Sequence, residues 1–362
     1  MKKALFALSL LTIGATVQAQ SSVTLYGRID AGIEYMSGLV EASGNTASRF
    51  RAESGNWGTS LWGMKGSEDI GEGTKIIFKL ENGFNAMNGQ LGDSPTLFQR
   101  WAYVGAENDT YGAVTAGQML WIANGVWDFD PLGQSNWSSA SLVRGRNWGL
   151  GSNNIAYQSP KWGGFEVFGV YALSNSPHWN APGTATGQGR SDGLQVTYTS
   201  SLFQVRGIYD EVRDPVTGQF DNVFSYSREY FGGVNVFLGP LKLQAVYQAS
   251  HAPQAAAGAP TVTQQEWGGV TWQVTPAAAL IAAAYHVNAN NGGGNATLYT
   301  IGGSYNLSKR TLLDFQVAST RNSRSANFSL EANSAGPGGP NNDNPLPGHS
   351  QSGAYVGIQH SF

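Results

Sequence analysis

The sequence predicts an all-β fold, a closed antiparallel transmembrane β-barrel of about 16 strands. Three observations carry that expectation. The final residues, Ala354 to Phe362, alternate with the two-residue period of a strand and close on an aromatic. At the opposite end Lys2 and Lys3 precede a short apolar run, Ala4 to Val17, and the small-residue site Val17-Gln18-Ala19. That is the pattern of a secretory leader over residues 1–19, which leaves 20–362 as one barrel domain. Between the two ends the same period recurs, with no apolar run near the about 20 residues of a spanning helix.

Composition agrees. A soluble globular chain carries about 25% charged residues. This one carries 12%, with 48 Gly, 11 Trp, 15 Tyr and 16 Phe among 362 residues, and no Cys. An exported chain without Cys holds its shape without disulfides. Once Lys2 and Lys3 are set aside, 19 basic side chains face 24 acidic ones, a formal charge of −5 that argues against a nucleic-acid partner.

The first strand, from Val23, sets Val23, Leu25, Gly27, Ile29, Ala31, Ile33 and Tyr35 on one face. Thr24, Tyr26, Arg28, Asp30, Gly32 and Glu34 take the other, so one face suits lipid and the other water. Further strands begin near Trp57, Gly73, Thr96, Tyr111, Ser152, Gly163, Asp192, Leu202, Val223, Pro240, Gln264, Ala277, Thr297, Arg310 and Gly353. Each runs roughly ten residues, the length of a tilted membrane strand.

The connections alternate in length. Short ones fall at Glu68 to Gly73, Asn108-Asp109, Pro160 to Gly163, Ser200-Ser201, Gly239-Pro240, Thr275-Pro276 and Ser308-Lys309. Long ones, rich in Gly, Pro, Asn and Ser, fall at Gly38 to Asn56, Ala86 to Pro95, Met119 to Gly151 and Ser174 to Arg190. Four more follow at Val212 to Asn222, His251 to Thr263, Asn288 to Ala296 and Asn322 to Ser352. This alternation closes an even barrel with short periplasmic turns, long external loops and both termini periplasmic. Closure satisfies every backbone amide in lipid, and about sixteen strands leave an aqueous lumen. Tyr26, Tyr35, Trp101, Tyr103, Trp162, Phe165, Tyr230, Phe231, Trp267, Trp272 and Phe362 are placed as interfacial belts.

Several segments are familiar as a set. They are Leu25-Tyr26-Gly27-Arg28-Ile29-Asp30-Ala31-Gly32, Leu61-Trp62-Gly63-Met64-Lys65-Gly66-Ser67-Glu68-Asp69-Ile70-Gly71, Phe78-Lys79-Leu80-Glu81-Asn82-Gly83-Phe84, Arg100-Trp101-Ala102-Tyr103-Val104-Gly105 and Phe129-Asp130-Pro131-Leu132-Gly133. With Ile155-Ala156-Tyr157-Gln158-Ser159-Pro160 and Val356 to Phe362, the chain resembles the Gram-negative general porins, especially their betaproteobacterial branch. The resemblance implies passive diffusion of small hydrophilic solutes and ions through a homotrimer. It further implies outer-membrane lipid and lipopolysaccharide around the barrel, insertion by the barrel-assembly machinery, and a third loop folded into the lumen. That loop, Met119 to Gly151, would present Asp128 and Asp130 to a basic wall.

Parity supplies the wall. Arg28, Asp30 and Glu34 share the lumen face of the first strand, Lys65 that of the second, Lys79 and Glu81 that of the third, and Arg100 that of the fourth. A cation at the lipid midplane costs about 2–4 kcal/mol, so these charges turn inward. Arg28, Lys65 and Arg100 match the family's basic wall best, Lys79 adds to it, and Arg144 and Arg146 lie late in the third loop. Gln118 stands where the family often has Arg. Trp121, Trp127, Phe129, Trp137 and Trp148 make the loop unusually aromatic, suited to stacking sugars or aromatic solutes or to packing against the wall. Phe362, His360 and Ile358 form the expected assembly signal.

An enzyme needs a base beside a nucleophile with an orienting third group. His178, His251, His286, His349 and His360 sit in no such motif, and no pattern for a metal or cofactor is present. The alternatives that stand beside a diffusion pore are a channel specific for sugars or for aromatic and organic acids and, more remotely, an outer-membrane enzyme or a surface binding module.

Overall fold

Two-residue alternation over the whole chain becomes a single antiparallel sheet closed on itself. The computed structural model describes residues 21–41, 43–92, 96–133, 135–173, 190–331 and 343–362. The expected leader and nearly all of the loop expected at Ser174 to Arg190 lie outside them. Among the described residues, seventeen strand segments follow one another. They are β1 (Ser21–Val40), β2 (Thr46–Ser54), β3 (Leu61–Gly71), β4 (Thr74–Gly83), β5 (Trp101–Asn108) and β6 (Gly112–Leu120). Next come β7 (Leu150–Gln158), β8 (Phe165–Ala172), β9 (Ser191–Thr199), β10 (Phe203–Val212), β11 (Arg228–Leu238) and β12 (Leu241–His251). The last five are β13 (Val262–Gln273), β14 (Ala278–Ala289), β15 (Gly294–Asn306), β16 (Thr311–Asn322) and β17 (Gln351–Ser361).

β1 is long enough to pair with β3 over Ser21 to Arg28 and with β2 over Ala31 to Val40. β2 and β3 are therefore two halves of one stave, and the barrel has 16. The expected first loop, Gly38 to Asn56, is corrected here: most of it is strand. Its residues Thr46 to Ser54 alternate Ser48, Phe50 and Ala52 outward against Arg49, Arg51 and Glu53 inward. β5 and β11 begin five residues later than expected, at Trp101 and Arg228.

Closure joins the last stave to the first. β17 pairs with β1 from Arg28↔Ser361 to Met36↔Gly353. Beyond it, Gly27 and Phe362 exchange backbone hydrogen bonds of 3.2 and 3.0 Å. Val23, Leu25, Ile29 and Ile33 are exposed on the outer face, whereas Asp30 and Glu34 on the inner face are fully enclosed.

The aromatic assignment divides by the same parity. Tyr35, Trp162, Phe165, Tyr230, Trp272 and Phe362 face outward. Tyr26, Trp101, Tyr103, Phe231 and Trp267 face inward, because each alternates with an outward apolar neighbour on its own strand. Propensity favours aromatics on either face of a strand, so type alone did not separate them.

The interior is not an open tube. The connection between β6 and β7 turns inward as a 3-10 segment, Ile122–Phe129, a single helical turn, Ser139–Leu142, and a second 3-10 turn, Arg146–Trp148. Ile122, Val126, Phe129, Leu132, Trp137 and Leu142 bury themselves against Ile208, Phe231, Val246, Trp267, Tyr285 and Leu298 of the inner wall. An apolar core thus fills the side of the lumen under β10 to β15. The aqueous passage is left beside β1 to β6.

Candidate pore constriction

Loop 3 is fastened at both ends and in the middle. Trp267 Nε1 donates to the Phe129 carbonyl at 3.2 Å, and the Phe129 and Phe231 rings meet edge to face at 5.8 Å. The Trp137 carbonyl accepts from Gln316 Nε2 at 2.8 Å and Thr300 Oγ1 at 3.2 Å. Gly353 makes room for that indole, since a Cβ there would stand 2.7 Å from the ring. At the break between β2 and β3, Asn136 N donates to the Asn56 carbonyl at 2.9 Å.

Asp130 belongs to this fastening, not to the pore. It is 3% exposed and accepts from Tyr285 Oη at 2.6 Å and from the Leu132 and Ser139 amides, each at 2.9 Å. Burial pushes its carboxyl pKa up, against the pull of those donors. Asp128 does reach water, at 61% side-chain exposure, but it is paired with Arg206 Nη1 at 2.6 Å. Lys242 Nζ lies 3.2 Å from the Asp128 carbonyl. The far wall therefore sets two cations, Arg206 and Lys242, against one carboxylate.

Arg144 and Arg146 are also corrected. Arg144 lies between the Phe224 and Phe328 rings, 4.9 and 4.7 Å from their centroids, and donates to Asn327 at 2.8 Å. Burial in that apolar sandwich lowers its pKa to about 10. Arg146 is enclosed and ion-paired with Asp210, and its Nε donates to Ser227 Oγ at 3.2 Å. Burial pulls its pKa down, but Asp210 and Glu229 more than offset this and leave it raised. Both side chains pack loop 3 against its surroundings, because late in the loop the chain has already turned back to the wall.

On the facing wall Arg28, Lys65, Lys79 and Arg100 all lie on the inward face of β1, β3 and β4 and at the head of β5. Arg100 Nε donates to Glu81 Oε1 at 2.8 Å, and Lys79 Nζ stands 3.3 Å from Glu81 Oε2. Lys79 Nζ also sits 4.3 Å above the Trp101 ring, a cation–π contact. Arg28 Nε donates to the Thr59 carbonyl at 2.7 Å. Asp30 is enclosed and accepts from Tyr355 and Gln359 at 3.3 and 3.0 Å. Gln118 pairs with Ala102 on the opposite face and donates to the Gln99 carbonyl at 2.8 Å.

Arg49 and Arg51, missed because β2 was expected to be loop, build the external vestibule. Carboxylate oxygens of Glu34, Glu53 and Glu331 lie within 4.8 Å of one another, spacing that could hold a metal ion. Arg51 reaches all three at 2.9–3.0 Å, so a guanidinium already supplies the cation. Arg49 adds a bond to Asp343 at 2.7 Å. Between this vestibule, Arg100 and the loop-3 side chains Asn124, Trp127, Asn136 and Trp148 lies a cavity of about 760 Å³. The outward residues Ile358 and His360 and the terminal Phe362 lie on the last stave, which closes on β1, and His360 Nδ1 meets Thr311 Oγ1 of β16 on its other side at 2.8 Å.

Comparison with known proteins agrees with this geometry. The family model described as Gram-negative porin matches residues 4–325. An outer membrane porin protein of Bordetella pertussis is 31% identical, over 68% of this chain and 69% of its own. Outer membrane porin protein 32 of Delftia acidovorans is 29% identical over the whole of both chains. Among solved structures, an anion-selective porin from Comamonas acidovorans superposes with a TM-score of 0.77 at 24% identity, covering 95% of this chain and all of that one.

Proposed function

The chain belongs to the Gram-negative porin family, non-enzymatic outer-membrane pores for passive diffusion, and we propose that its constriction gives preference to small hydrophilic anions. One observation carries this reading: loop 3 has no free carboxylate to set against the wall. Asp130 is buried and Asp128 is answered by Arg206 and Lys242. On the wall four cations, Arg28, Lys65, Lys79 and Arg100, meet three carboxylates, Asp30, Glu81 and, from β16 beside Asp30, Asp314.

Unbalanced charge acts strongly here. Water confined by protein screens less than bulk, so a surplus of cations lowers the cost of bringing an anion through. The acidic vestibule borders the same cavity, and there Arg49 and Arg51 are ion-paired with Glu34, Glu53, Glu331 and Asp343. Membership of the family also supports a homotrimer set in outer-membrane lipid and lipopolysaccharide.

Single-channel conductance of the purified protein in a planar bilayer tests the preference. Replacing chloride by acetate should lower the step more than replacing potassium by lithium. The opposite order would remove the reading.

A further inference from the structure

We propose that the constriction holds aromatic organic anions of the benzoate class, with the ring in the corner formed by Trp127 and Trp148 and the carboxylate on Arg100. The inference rests on the anion-preferring pore proposed above and names a class of solute for it. Trp127 and Trp148 come from the two 3-10 turns of loop 3. Their ring centroids are 6.4 Å apart and their planes 85° apart. A flat ring can stack on one indole while turning its edge to the other, which combines the two favoured aromatic geometries.

The corner is held in place from behind. Asn124 Nδ2 donates to the Trp121 carbonyl at 2.7 Å and to the Gly149 carbonyl at 3.0 Å, tying one turn to the other. The Arg146–Asp210 ion pair anchors the second turn to β10. Across the cavity, Arg100 is oriented, among the described residues, by one side-chain bond, from its Nε to Glu81 Oε1. Its two Nη groups donate to none of the described residues, and guanidinium binds a carboxylate in a bidentate manner. The cavity of about 760 Å³ falls within the range of small-molecule sites.

The same geometry disfavours sugars. A sugar needs free donors around its ring, yet Asn124 Nδ2 is committed to the two carbonyls and Asn136 Nδ2 to Glu53 Oε1 at 3.2 Å. An aliphatic acid of equal charge gains Arg100 alone.

The test is block of the KCl current by benzoate against cyclohexanecarboxylate, matched in charge and near in size, added to single channels in a planar bilayer. Benzoate should reach half-block at a concentration roughly three- to tenfold lower. Trp148→Leu and Trp127→Leu should each shrink that difference, and Arg100→Gln should weaken block by both acids. Equal block in the unmodified protein would overturn the site, and this comparison needs no variant to fold. Discrimination that survives in both tryptophan variants would overturn it as well. Anion preference without benzoate discrimination would sink the site alone. Discrimination in a pore that prefers cations would sink the pore reading alone.

Discussion

Arg51 shows how much a single side chain can settle. Its guanidinium is the shared cation of Glu34, Glu53 and Glu331, and it fastens the last external loop, which carries Glu331, to the wall. Burial pushes the Glu331 pKa up to about 7; Arg51 pulls it down, while Glu34 and Asp343 push it further up. The docked loop thus holds a proton that a free carboxyl, near 4.5, would release. This contribution to stability is complete below the free value and is lost as pH rises through about 7. The unfolding temperature of the native protein should therefore fall, relative to Glu331→Gln, between about pH 5 and about pH 8. Parallel curves for the two proteins would count against it. Charge and parity made Glu34 legible as an inward residue, but Glu331, which shares Arg51 with it, comes from a loop, and no period in the sequence aligns a loop with a strand.

At the scale of elements, strands were legible and the loop that matters was half so. Alternation placed Arg28, Lys65 and Lys79 on one face because a strand admits only two, whereas Arg100 precedes β5 and reaches the lumen beside the inward Trp101. The same alternation runs through Thr46 to Ser54, where the neighbouring Gly and Asn residues suggest loop. Loop 3 follows no such rule: Asp128 and Asp130 are two residues apart, yet one faces water and the other a tyrosine. Asp130→Ala strands the Leu132 and Ser139 amides and the Tyr285 hydroxyl, each costing about 1–3 kcal/mol when buried without a partner. Calorimetry should show a lower unfolding temperature, and the open channel should become noisier with its ion preference unchanged. A clear shift of preference toward anions at full stability would mean that Asp130 faces the pore after all.

The whole molecule depends on one seam and one asymmetry. Lipid offers no hydrogen-bond partners, so the exchange between Gly27 and Phe362 completes the ladder where the last stave meets the first. A Cβ at position 27 would lie 2.5 Å from the Phe362 ring and 2.8 Å from the Leu61 carbonyl, so the glycine is needed there. Deleting Phe362, or replacing Gly27 by Val, should lower the yield of heat-modifiable folded barrel on unboiled gels; normal yields would contradict this role.

The asymmetry is the apolar core on one side of the lumen and the basic wall on the other, and the central claim is that the surplus of wall cations sets ion preference. The zero-current potential across a KCl gradient, measured side by side for the native protein and Lys79→Gln/Arg100→Gln, tests this most directly. The account predicts that the dilute side becomes negative with the native protein, as for an anion-preferring pore, and that the double variant moves the potential toward zero or past it. A dilute side that is positive with the native protein, or a potential that the double variant leaves in place, would contradict it.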